Sequence, residues 1–110
     1  MSNTSLWVGV DISKHHLDIT WLPTGDHQRY SNNTNGIADL LDDLEQGVAL
    51  IVMEASGGHE KSVLRSLQHA GWPVALVNAR KLRNYARARG ILAKTDKIDA
   101  NVLAHYAQTI

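Results

Sequence analysis

Leu6-Trp7-Val8-Gly9-Val10-Asp11-Ile12 is the stretch whose reading decides the fold. Leu6 to Val10 is a short, nearly continuous apolar run, the pattern of a strand buried on both faces. Asp11 stands where that run ends. Ile12-Ser13-Lys14-His15-His16 has the polarity of a turn. Leu17 to Leu22 then alternates, with Leu17, Ile19 and Trp21 on one face and Asp18 and Thr20 on the other, which predicts a half-solvated strand. Pro23-Thr24-Gly25-Asp26 reads as a turn, and His27 to Ser31 as a third strand of weaker signal. Strands joined this closely pair antiparallel, because a parallel pair needs a crossover of about a dozen residues.

Beyond Ser31 the period changes. Asn35 is a candidate helix cap, followed by Ile37, Leu40, Leu41 and Leu44 at helical spacing with Asp39, Asp42, Asp43 and Glu45 outside, and Gly47 closes the helix. Val48 to Met53 is a second β-branched apolar run, ending at Glu54. A helix is expected over His59–His69, with Val63, Leu64 and Leu67 facing inward, then a strand at Pro73–Val77. Ala79–Ala88 is helical and basic. After Gly90 a last helix is expected from Thr95, its candidate cap, through Ile98, Val102, Leu103 and Tyr106. The order β-β-β-α-β-α-β-α-α is that of an α/β, ribonuclease H-like fold: a mixed five-stranded sheet with flanking helices. A dinucleotide-binding fold is disfavoured, since Gly9 is followed by Val-Asp-Ile and not by the glycine fingerprint.

Composition narrows the function. The chain has 110 residues, which is one domain, and its 44% hydrophobic and 20% charged content is that of a globular protein. It has no cysteine, which excludes disulfide scaffolds, thiolate metal sites and cysteine nucleophiles. No apolar run approaches the roughly 20 residues of a membrane span, and the first residues are not a signal peptide, so a cytoplasmic protein is expected. The net charge of zero hides an asymmetry. Residues 1–60 carry two basic and nine acidic side chains, a balance of −7, and residues 61–110 carry nine basic and two acidic, a balance of +7. Two readings stand: mutual neutralisation within the fold, or an acidic site beside a basic surface.

The acids sit at telling places. If the first and fourth strands are parallel neighbours, Asp11 and Glu54 emerge at one carboxyl edge of the sheet, where open α/β sheets bind ligands. Asp96 and Asp99, three apart at a helix start, share one face; two acids favoured by a helix N-terminus are the plainer reading. Clustered carboxylates without cysteine select Mg2+, with Mn2+ as an alternative, and two such ions support phosphoryl transfer. Ser56-Gly57-Gly58 is either a phosphate-gripping turn or the chain's exit from the strand. Of the histidines, only His15 or His16, and His59, fall near these acids. Trp7, Trp21 and Trp72 read as core packing. Arg80, Lys81, Arg83, Arg87 and Arg89 form a basic segment with Arg80, Arg83 and Arg87 on one helical stripe; solvated helix charge competes with phosphate contact there. Lys94 and Lys97 bracket Asp96 and would hold a phosphate near it.

Val8-Gly9-Val10-Asp11-Ile12-Ser13-Lys14, Met53-Glu54-Ala55-Ser56-Gly57-Gly58 and Lys94-Thr95-Asp96-Lys97-Ile98-Asp99-Ala100, in this order, resemble the amino-terminal, RuvC-like domain of DEDD transposases. These are the insertion sequence 110 family and the related pilin-gene invertases. The likeness continues through Leu67, Gly71, Val74, Val77-Asn78, Ala88, Gly90 and Leu103-Ala104. It implies that Asp11, Glu54, Asp96 and Asp99 are the catalytic, metal-binding acids of an enzyme that cleaves and exchanges DNA strands. It further implies a homo-oligomer acting on DNA, in some members guided by an RNA encoded in the element. The family's nucleophile is a serine of a separate carboxyl-terminal domain. Ser13 and Ser56 match no such position, so residues 1–110 are expected to hold the acidic half of a composite site and to be inactive alone. Two other readings remain: a noncatalytic nucleic-acid-binding or assembly module, and a fragment of an actin-like or sugar-kinase fold, whose opening strand and hairpin look similar.

Overall fold

Residues 5–91 and 98–110 are described by the computed structural model. Their elements run β1 (Leu6–Ile12), β2 (His16–Leu22), β3 (Asp26–Ser31), α1 (Thr34–Asp43), β4 (Val48–Glu54), α2 (Lys61–His69), β5 (Val74–Val77), α3 (Ala79–Ala88) and α4 (Ala100–Thr109). The strands form one sheet in the order β3-β2-β1-β4-β5. β1, β2 and β3 pair antiparallel, and β4 lies parallel to both β1 and β5. This is the mixed, ribonuclease H-like sheet that the element order calls for.

Period-two alternation sends successive side chains to opposite sheet faces, and each face has its own core. On one, Val8 and Val10 of β1 with Ile51 and Met53 of β4 pack against Ile37 and Leu40 of α1 and Val63 and Leu67 of α2. On the other, Val52 packs with Leu82 and Ala86 of α3 and Val102, Leu103 and Ala107 of α4. The tryptophans line these cores as half-buried packing, Trp7 on the α4 side and Trp21 and Trp72 on the α1 side. Thr20, expected on a solvated face, is instead fully buried, because α4 covers that side of β2 as well as β1 and β4.

α4 comes this close because of one missing side chain. A Cβ placed on Gly9 would overlap the carbonyl oxygen of Ala100 and the backbone nitrogen of Ala104. The helix backbone therefore rests directly on the backbone of β1. Gly36 has a similar role in α1, where a Cβ would overlap the Ser31 carbonyl.

Helix boundaries differ from the sequence reading at their caps. α1 is capped by Asn33, not Asn35: the Asn33 side chain accepts from the Gly36 N–H at 2.8 Å. The helix ends at Asp43, and Gly47, at φ +100°, belongs to the turn into β4. α4 begins at Ala100 with Asp99 as its cap, so Asp99 precedes the helix; Thr95 and Asp96 lie outside the described residues.

The loop after β4 is closed from within. Gly57 and Gly58 take φ +73° and +113°, and the turn they make folds over the Glu60 carboxylate. One Glu60 oxygen accepts from the Ser56 N–H at 3.1 Å, the Ser56 hydroxyl at 3.0 Å and the Gly58 N–H at 3.0 Å. The phosphate-gripping reading of Ser56-Gly57-Gly58 is thereby corrected, since the chain's own carboxylate takes those donors. Backbone hydrogen bonds hold the Glu60 carboxyl down to about 2.

Gly9→Ala should destabilise the chain by ~3 kcal/mol, because backbone and not a flexible side chain must move, and the loss should appear as a lower midpoint in urea unfolding. Glu60→Ala should cost roughly 1–3 kcal/mol at pH 7 by orphaning three donors. Because the folded-state value is depressed below the ordinary 4.5, Glu60's contribution is fully present above about 4.5 and disappears as pH falls towards 2. Urea titrations should therefore show the wild-type and Glu60→Ala stabilities converging as pH falls across that window and separated by a constant difference above it.

Candidate metal and nucleic-acid site

The register of the sheet places the first two acids. β1 and β4 run parallel with Val10 opposite Met53, so Asp11 and Glu54 hold the next position on neighbouring strands, whose spacing is ~4.8 Å. Gly9 and Val52 face α4, and alternation puts Asp11 and Glu54, two residues further on, on that same face. Both are half-buried at the carboxyl edge. The structure thus brings Asp11 and Glu54 together at one edge, as neighbours.

Asp99 directly precedes Ala100, whose carbonyl meets Gly9, and is exposed. Its carboxylate accepts from the Val102 N–H at 3.0 Å, capping the helix. Asp96, Lys94 and Lys97 lie outside the described residues. Among the described residues, no three His, Cys, Asp or Glu side chains are gathered so as to hold a metal ion.

A further acid was not assigned from sequence. Asp18 of β2 stands cross-strand from Asp11, and Arg29 of β3 stands cross-strand from Asp18. Arg29-Asp18-Asp11-Glu54 thus forms one row across the sheet. Arg29 binds Asp18 in a fork, Nε to Oδ1 at 2.8 Å and an outer nitrogen to Oδ2 at 3.2 Å. The guanidinium is held protonated by Asp18, with a smaller contribution from Asp11. Both side chains are well exposed, so the pair adds little stability; its effect is to offset one of the row's negative charges. The alternation of β2 put Asp18 on this face, but only the hairpin register reveals its partner.

The donors along this edge suit a divalent cation. Carboxylate oxygens are hard ligands, and Asp11 and Glu54 are two like charges at one sheet position, a placement that favours a neutralising cation. His15, His16 and His59 are exposed, and the His27 ring pairs with the Thr20 hydroxyl at 2.8 Å.

α3 brings positive charge to the same face. Val77 lies opposite Glu54 in the β4–β5 ladder, and Asn78 follows as the α3 cap, accepting from the Lys81 N–H at 2.8 Å. The helix thus starts beside Glu54 and runs away from the edge. Arg80, Lys81 and Arg87 are exposed, Arg83 is half-buried, and Leu82 and Ala86 anchor the inner side. Arg80 and Arg87 are ~10 Å apart along the axis, close to the axial spacing of phosphates along a strand taken three at a time. Arg89, just past the helix, lies over the Tyr85 ring at 6.0 Å. Tyr85 in turn meets Tyr106 edge-on and pairs its hydroxyl with Thr109 at 3.0 Å, tying α3 to α4.

Comparison with known proteins agrees with this arrangement. The family model of insertion sequence 110 DEDD transposases, described as "Transposase", matches residues 8–110. The chain is 31% identical over 114 aligned positions to the pilin gene-inverting proteins of Moraxella lacunata and Moraxella bovis. The alignment takes in 96% of this chain and 34% of each relative, so the chain spans about a third of the length of the curated relatives it matches. No described helix is long and apolar enough to cross a membrane. With the match running through both acid-bearing strands and on to α4, the chain belongs to the DEDD transposase family.

Proposed function

We propose that this domain supplies the acidic, divalent-cation-binding part of a DNA strand-cleaving and strand-exchanging site. The observation that carries the reading is the placement of Asp11 and Glu54 side by side on one face of the carboxyl edge, with the basic α3 starting at that edge. Asp96 and Asp99 complete the set of acids by their match to the family motif. Mg2+, or Mn2+, bound by these carboxylates would supply Lewis acidity towards a phosphate and its attacking hydroxyl. The residues of this chain bind and orient: the carboxylates hold the ion, and Arg80, Lys81, Arg83 and Arg87, with Arg89, Lys94 and Lys97 as further contacts, hold backbone phosphates. Base identity is not read by such contacts, which fits selection of the DNA by a guide RNA in a longer, oligomeric protein that carries the serine nucleophile.

A second reading, a noncatalytic nucleic-acid-binding or assembly module, draws on the capping of α4 by Asp99, which engages that carboxylate with backbone. Cation titration separates the two. Mn2+ should bind the wild-type chain and bind Asp11→Ala at least ~10-fold more weakly, read by electron paramagnetic resonance of the free ion. No binding at millimolar Mn2+ would favour the assembly reading. In the longer protein, Asp11→Ala should abolish strand cleavage while leaving DNA binding within a few-fold; full cleavage by that variant would remove Asp11 from the mechanism.

The DNA interface has its own test. Replacing Arg80 and Arg87 together by Ala should weaken duplex binding for all sequences alike and lower the slope of log K against log salt by ~2, one for each phosphate left without its arginine. An unchanged slope in fluorescence anisotropy titrations would place the DNA elsewhere.

A further inference from the structure

The hydrogen-bonded register of β1 with β4 ends at Val10–Met53, one residue short of Asp11 and Glu54. Beyond that point β1 runs through Ile12 into the 13–15 turn, and β4 through Glu54 into the 55–60 loop. Asn32, the residue after β3, joins them there. Its Nδ2 donates to the Ser13 carbonyl at 2.9 Å and to the His59 carbonyl at 3.1 Å. Its backbone N–H donates to the His15 carbonyl at 2.9 Å. Two acceptors, one in each loop, match the two hydrogens of one carboxamide nitrogen. A carboxylate of the same shape would face both carbonyls with no proton to give, and a hydroxyl would have one.

Each loop is already ordered within itself. In the first, the Ser13 N–H donates to the His16 carbonyl at 2.9 Å, and the Ser13 hydroxyl accepts from the His16 N–H at 3.2 Å. In the second, Glu60 holds Ser56 and Gly58. What neither loop supplies is a fixed relation to the other, and Asn32 does. β3 carries it there because β3 runs antiparallel to β2 and ends at the same sheet edge as β1 and β4.

We infer that Asn32 is a positioning residue: it clamps the β1–β2 turn to the β4–α2 loop and so fixes the separation of Asp11 and Glu54 past the end of their ladder. The inference deepens the proposed function and rests on it for its consequence, cation affinity, but the clamp can be read without any metal. In the wild-type chain, the Asn32 carboxamide protons should exchange with solvent more slowly than those of the exposed Asn35 and Asn101. In Asn32→Ala and in the near-isosteric Asn32→Asp, the amides of Ser13 and His16 and those of Ser56 and Gly58 should exchange roughly tenfold faster, with the Val10 and Val52 amides unchanged. Mn2+ affinity of both variants should fall ~10-fold at temperatures well below unfolding, as when a group that orients ligands is removed.

The outcomes are separable. Unchanged exchange in either loop, or an Asn32 carboxamide that exchanges as freely as Asn35, would overturn the clamp. Faster exchange in both loops with unaltered Mn2+ affinity would overturn its role in positioning the acids. Failure of the wild-type chain itself to bind Mn2+ would overturn the metal reading, and with it that consequence, while the exchange data would still decide whether the two loops are coupled.

Discussion

The close approach of Gly9 and the first turn of α4 is the constraint from which the site follows. A strand residue with any side chain would hold a covering helix about a layer spacing away; here the helix backbone meets the strand backbone. That approach does two things at once. It buries the α4 side of β1, β2 and β4 under Val102, Leu103 and Ala107, closing the second core. It also sets the start of α4, and hence its cap Asp99, over the strand that ends in Asp11. The first strand and the last helix lie at opposite ends of the sequence, and they meet because one Cβ is absent.

The remaining order of the site comes from loops that satisfy themselves. A half-buried pair of carboxylates needs its surroundings fixed, since an electrostatic site works only if its groups do not move to relieve their own repulsion. The β4–α2 loop is fixed by Glu60, which gives three donors one acceptor oxygen in the turn after Glu54. The row Arg29-Asp18-Asp11-Glu54 fixes charge in the same way, with a guanidinium fork at one end offsetting the carboxylate next to Asp11. Glu60 and Arg29 are thus charges engaged by the fold close to Asp11 and Glu54 at the edge.

Much of this is legible in the sequence, and the misses have definable causes. The strand order and the edge position of Asp11 and Glu54 can be read because apolar period and connection length determine pairing direction, and pairing direction determines which strand ends coincide. Caps are less legible. Asn33 and Asn35 are equally good capping residues locally; the choice is made by Gly36, whose hydrogen must face the Ser31 carbonyl, an approach that only the folded chain creates. Asp99 takes the place of Thr95 as the cap because α4 must begin where its backbone meets Gly9. The burial of Thr20 escapes for the same reason, since alternation alone cannot say that a helix from the far end of the chain covers that face. Asn32 gives no signal in sequence, where a polar residue after a strand looks like any loop residue; its meaning lies in two carbonyls, one 19 and the other 27 residues away.

The placement of the helices bears on the charge asymmetry. Asp39, Asp42 and Asp43 belong to α1, on one face of the sheet, and the arginines of α3 belong to the other. Helices on opposite faces are separated by two layer spacings, ~20 Å, against a screening length of ~8 Å at physiological ionic strength. The aspartates of α1 and the arginines of α3 therefore do not neutralise one another, even though the chain sums to zero. For the DNA partner proposed above, the α3 side would be the attracting one. That side is the one on which Asp11 and Glu54 stand.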